Sequence, residues 1–114
     1  MADSKELQEL FHSCMPLFIA LGDEVRLNII EALCIASQNG HTELNVNEIT
    51  RQTNLSRPAI SHHLKIMKSC GLVEVTQSGT SNYYRLTFLD CTKQLMKLGT
   101  WLKRSSARNK KKYV

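Results

Sequence analysis

The stretch Leu55–Gly71, LSRPAISHHLKIMKSCG, limits the fold of this 114-residue chain more than any other. It predicts one short helix with a defined start, two unlike faces and a defined end. Ser56 is a suitable N-cap, because its hydroxyl can accept from a first-turn amide, and Pro58 falls where amides lack helical partners anyway. Gly71 can take the left-handed conformation that closes a helix. At roughly 100° per residue, Ile60, His63, Leu64 and Met67 share one arc, while Arg57, Ser61, His62, Lys65 and Lys68 share another. The second arc holds cations and small hydrogen-bonding groups and no carboxylate. A helix lying in a DNA major groove needs that set: cations for phosphates, short donors and acceptors for base edges, nothing that repels a polyanion. Standing alone, the same arc could be a basic solvated face. Its neighbours decide otherwise.

Upstream, Asn45 and Glu48 form a capping-box pair at the start of a short helix over 46–52, and only Thr53–Asn54–Leu55 separates this helix from the next. Two short helices joined by a tight turn, the second basic and capped, make a helix-turn-helix pattern. After Gly71 the hydrophobic period drops from 3.6 to about 2. Val73 and Val75 alternate with polar neighbours, Ser78–Gly79 marks a turn, and Tyr83–Leu86 reads as a returning strand, so a β-hairpin wing follows. Residues 4–15 predict a first helix, with Leu7, Leu10, Phe11 and Cys14 at helical spacing; Pro16 should end or kink it, leaving 16–21 as an apolar connector. Asp23 caps a second helix to about Ala36, with Leu27, Ile30, Leu33 and Cys34 on one side, and Asn39–Gly40 is a turn signal. A last helix runs from near Asp90 to about Arg104, with Cys91, Leu95, Leu98 and Leu102 as its stripe. The expected fold is mostly α with a β-hairpin wing (α+β), a winged helix-turn-helix. The first and last helices carry more apolar surface than so small a core consumes, which predicts a dimer through those two helices. The domain should cover residues 1–104, and 105–114 should be a basic, disordered tail.

Charge placement agrees with a nucleic-acid face. Residues 1–48 carry eight acids against Lys5 and Arg26, whereas residues 49–88 carry Arg51, Arg57, Lys65, Lys68 and Arg85 against Glu74 alone. A basic central block is the electrostatic footprint of a chain that meets nucleic acid. Six further cations from Lys103 onward could add sequence-blind phosphate affinity. No apolar run approaches the roughly 20 residues of a membrane span, and MADSKELQEL has no signal-peptide character, so a cytoplasmic location is expected and no membrane partner. The four cysteines (14, 34, 70, 91) form no C-x-x-C pair, so neither a disulfide framework nor a zinc knuckle is indicated.

Four segments in order, ALGDEVRLNIIEAL (Ala20–Leu33), ELNVNEI (Glu43–Ile49), LSRPAISHHLKIMKSCGLV (Leu55–Val73) and YYRL (Tyr83–Leu86), resemble the ArsR/SmtB family of bacterial metal- and stress-sensing repressors. The resemblance implies a homodimeric repressor binding a palindromic operator in double-stranded DNA. It would place Ser56, Arg57, Ser61, His62, Lys65 and Lys68 at the operator, with Gln77, Ser78 and Thr80 of the wing on an adjacent groove.

The family's sensing motifs do not carry over. Where thiolate-type metal sensors read E-L-C-V-C-D-L, this chain has Asn45 and Asn47 in place of both cysteines, so that soft-metal site is absent. From Asp90 onward there is no histidine for the site that other members build on the last helix, so no metal and no cofactor is expected. The wing from Thr76 to Asn82 also lacks the Arg or Lys that such wings often carry. His62 and His63 point about 100° apart and cannot chelate one ion; His62 suits a phosphate or base contact and His63 a packed, hydrogen-bonded position. Cys14 and Cys91 fall on the stripes of the two dimer helices, a candidate thiol sensor for oxidants or thiophilic ions, set against their being small apolar packing residues. Cys34 reads as core. No phosphate loop, nucleophile elbow or paired-carboxylate motif is present, so an enzyme is not expected. The competing reading from another class is a winged-helix protein-interaction or assembly module without selective DNA binding.

Overall fold

The computed structural model describes residues 4–87 and 89–112, with the side chains of 89–91 and 108–112 outside the description. The elements run α1 (Ser4–Leu21), α2 (Glu24–Gln38), β1 (Leu44–Asn45), α3 (Val46–Thr53), α4 (Arg57–Ser69), β2 (Val73–Ser78), β3 (Ser81–Leu86) and α5 (Leu89–Lys112). They divide into two compact units, residues 17–88 and residues 1–16 with 89–114.

In the first unit, helix starts and stops follow the side chains closely. Asp23 accepts from the amides of Val25 and Arg26 and starts α2; Ser56 accepts from Ala59 and starts α4. At α3 both halves of the capping box form: Asn45 Oδ1 accepts from the Glu48 amide at 2.8 Å, and Glu48 Oε1 accepts from the Asn45 amide at 3.0 Å. Gly71, at φ +75°, ends α4 with the two reverse bonds of a Schellman motif, Leu72 N–H to Met67 O at 2.9 Å and Gly71 N–H to Lys68 O at 3.0 Å. Asn54, at φ 61°, is the only non-glycine residue of positive φ among the described residues and forms the bend between α3 and α4. Asparagine is among the few side chains that tolerate it.

The core of this unit is where those helices meet. Ile29 of α2, Ile49 of α3, and Ile60, Leu64 and Met67 of α4 are fully buried, with Leu72 and Val73 closing the approach to the wing. Each such side chain contributes about 1.5–3 kcal/mol by leaving water. The sheet order is β1-β3-β2, all antiparallel, with Val73 opposite Leu86 and Glu74 opposite Arg85. The two-residue β1, which pairs Leu44 with Tyr84, has no signal in the sequence because so short a run shows no alternation.

Three expectations differ from the structure. Helix α1 continues through Pro16 to Leu21 rather than stopping there. Proline forfeits one intrahelical bond, but the residues after it include Leu17 and Ala20, both buried, and that burial offsets the loss. In α2 the inward face is Arg26, Ile29, Ala32, Leu33 and Ala36, while Leu27 and Cys34 are exposed. Arg26 turns inward because the carbonyls of Ala20 and Ile19 accept from it there, and the buried face of α2 rotates with it. Helix α5 runs on to Lys112, past the end expected near Arg104. Lysine, arginine and alanine are strong helix formers, and cations favour the negative end of a helix dipole.

In the second unit, Leu10, Cys14 and Leu98 are buried. Phe11, Met15, Met96 and Leu102 are left between 39% and 69% exposed.

Candidate nucleic-acid interface

Helix α4 separates its two arcs cleanly. Ile60, Leu64 and Met67 are buried and His63 is half-buried, while Arg57, Ser61, His62, Lys65 and Lys68 are all exposed. The two adjacent histidine rings meet edge to face with centroids 5.3 Å apart, so His62 turns outward as His63 turns in. Ser56 is exposed at the cap. On the wing, Gln77, Ser78 and Thr80 are exposed around the Gly79–Thr80 turn. Arg85, part of the basic central block, is engaged: its Nε donates to Glu74 Oε2 at 2.9 Å across the hairpin. That hydrogen bond raises the arginine's already high pKa further. The turn falls at Gly79–Thr80, one residue beyond the Ser78–Gly79 expected, and that register sets Glu74 opposite Arg85. Of the central block, the exposed cations outside that pair are Arg51 of α3 and Arg57, Lys65 and Lys68 of α4.

Two further residues bear on this surface without any motif to announce them. Arg26 is 9% exposed, and its guanidinium joins three elements. Nε donates to Ala20 O at 3.2 Å and Nη2 to Ile19 O at 3.0 Å, both carbonyls at the end of α1, and Nη1 lies 3.2 Å from His63 Nδ1 on α4. Since arginine only donates, Nδ1 of His63 is the acceptor and its proton sits on Nε2. Asp23 Oδ2 stands 3.9 Å from the same guanidinium. The Asp23 carboxyl is held below its ordinary value first by the Arg26 amide; burial opposes this, and the charge of Arg26 and the Val25 amide add to it. The second residue is Asn47, whose Oδ1 accepts from Arg57 Nη1. The first turn of α3 is thereby tied to the first turn of α4.

Between those two turns and the wing lies a cleft of about 270 Å³, lined by Asn47, Arg57, Ser61, Thr80, Asn82 and Tyr84 among others. Cys14 is fully buried, and the side chain of Cys91 lies outside the described residues. Among the described residues no three His, Cys, Asp or Glu side chains form a metal set.

Comparison with known proteins places this geometry. The model of the bacterial regulatory protein arsR family matches residues 23–75, which run from the cap of α2 to β2. An HTH-type transcriptional regulator of Methanocaldococcus jannaschii is 34% identical over 90 residues, 79% of this chain and 94% of the relative. The arsenical resistance operon repressor of Bacillus subtilis is 35% identical over 78 residues, 68% of this chain and 70% of that protein. The solved structure of an ArsR-like transcriptional regulator from Rhodococcus superposes with a TM-score of 0.63 at 27% identity, covering 89% of this chain and 90% of that one. With the capped helix pair, the acid-free arc and the wing in place, the chain belongs to the ArsR family of bacterial regulatory proteins and is a winged-helix, DNA-binding transcriptional regulator.

Proposed function

We propose that this regulator acts as a homodimeric repressor on a two-fold-symmetric operator with half-sites about one helical turn apart. The observation that carries the reading is the α4 arc, on which five polar side chains are exposed and none is acidic. Arg57, Lys65 and Lys68 serve phosphates, Ser61 and His62 reach base edges, Ser56 lies at the groove's edge, and Gln77, Ser78 and Thr80 meet the adjacent groove. Repression as the direction of control is supported by likeness to the arsenical resistance operon repressor. The exposed apolar residues of α1 and α5, Phe11, Met15, Met96 and Leu102, are the surface a second copy covers. No helix among the described residues is long and apolar enough to cross a membrane, in keeping with a cytoplasmic regulator. A thiol trigger at Cys14 and Cys91 requires α1 to move first, because Cys14 is closed to solvent.

Fluorescence anisotropy on DNA from upstream of the protein's own gene tests the reading, with unrelated DNA as control. Arg57→Ala with Lys65→Ala should weaken operator binding at least about tenfold and flatten its salt dependence by about one per lost phosphate contact. Unchanged affinity would overturn the assignment of the arc. If the unaltered protein failed to discriminate the two DNAs, a protein-interaction module would replace the repressor. Adding oxidant to the unaltered protein and to Cys14→Ser separates a thiol-triggered repressor from one indifferent to oxidation.

A further inference from the structure

We propose that the cleft between the first turns of α3 and α4 and the wing turn is the seat of one operator backbone phosphate, held by Asn47 and Asn82 together with Arg57. The proposal rests on the DNA-binding reading above and adds to it a site that no motif marks.

The first argument is chemical. Among the residues that line the cleft, Arg57 carries the only formal charge; Asn47, Ser61, Thr80 and Asn82 are neutral hydrogen-bonding groups. The contact between Arg57 Nη1 and Asn47 Oδ1 takes one of the two lone pairs of the asparagine oxygen and turns that oxygen toward the guanidinium. The pair still offers the rest of the guanidinium fork and the carboxamide NH2, a set in which donors outnumber acceptors. A donor-rich pair beside a cation fits a ligand that only accepts, and a phosphodiester with two non-bridging oxygens is such a ligand. Helix α3 begins at the same place, and its first-turn amides have no partners within the helix. Glu48, the acidic residue of that turn, directs its carboxylate to the Asn45 amide instead of lining the cleft.

The second argument is geometric. A recognition helix in the major groove and a wing on the adjacent groove must straddle the sugar-phosphate backbone that separates those grooves. The cleft lies between α4 and the wing turn and shares Arg57 and Ser61 with the first and Thr80 with the second. The strand between the grooves therefore has to pass over it. This also accounts for a wing whose turn, Thr76 to Asn82, carries no cation. The charge that anchors the backbone beside the wing comes from α4, steered by α3.

Asn47→Asp and Asn82→Asp in the full chain test the seat, because each changes charge without changing shape. An aspartate at position 47 favours the start of α3, so the thermal midpoint should hold or rise while operator affinity falls about tenfold and the salt slope flattens by about one per half-site. That opposite movement is not produced by damage to the fold. In a second arm, single phosphates of the operator are replaced by neutral methylphosphonates. One position per half-site should weaken the unaltered protein and have no further effect on Arg57→Gln. Full affinity in both aspartate variants would overturn the seat, as would equal methylphosphonate losses in the unaltered protein and Arg57→Gln at every position. Either result with selective binding intact removes the seat alone. Loss of selectivity in the unaltered protein removes the DNA reading as well.

Discussion

In residues 17–88, Asp23, Asn45 and Ser56 each hold a helix start, Gly71 closes α4, and the hairpin carries its own ion pair. The other unit, residues 1–16 with 89–114, contains the outer stretch of α1 and the 24-residue α5, and it leaves Phe11, Met15, Met96 and Leu102 largely in water. The first unit holds its helix starts and a core of fully buried side chains within one chain, with Ile19, Leu27 and Ile35 exposed at its surface. The second satisfies its backbone by helix length and leaves apolar surface uncovered. The contrast teaches that the capped helices and the hairpin are fixed by contacts close in sequence, while the long helices carry apolar side chains that the proposed second copy would cover.

The comparison breaks most visibly if that uncovered surface is charged. Phe11→Asp should leave the chain folded, shift sedimentation to the monomer, and lower operator affinity by about 10²- to 10⁴-fold as two linked half-site contacts become independent. A dimer unaffected by the change would mean that the apolar stripe serves some other end. Within the complete unit, Arg26→Met should cost on the order of 3 kcal/mol in urea unfolding, since the carbonyls of Ile19 and Ala20 and the imidazole of His63 all lose their donor. A smaller effect than at any surface cap would show that the guanidinium is dispensable. The smallest effect concerns pH. Because the Asp23 carboxyl lies below its ordinary 3.8 in the folded chain, its stabilising contribution is complete above that value and disappears as pH falls through the lower folded value. Asp23→Asn keeps the cap but not the charge. Unfolding curves from pH 7 down to pH 3 should therefore show the unaltered protein ahead at neutral pH and the two converging in acid.

The sequence was most informative where structure is local. A cap, the residue three places on, and the glycine that ends the helix are all decided within one turn, so Asn45, Glu48, Ser56 and Gly71 could be read directly. The two arcs of α4 follow from the same periodicity. What could not be read depends on partners distant in sequence. Arg26 looks like any helical arginine until α1 and α4 supply its acceptors, and its inward turn rotates the buried face of α2 and leaves Cys34 exposed rather than in the core. In the sequence Asn47 stands out only as the absence of a cysteine; its bond to Arg57 spans ten residues and a turn whose angle Asn54 sets. Pro16 misled because its local penalty is real and the burial of Leu17 and Ala20 outweighs it.

Arg26 also constrains how the molecule can move. Hydrogen bonds weaken steeply once stretched or tilted, so a joint made of three of them, converging from α1 and α4 on one planar group, has little elastic travel. A push on the end of α1 therefore either carries α4 along as one rigid piece or unlatches it altogether.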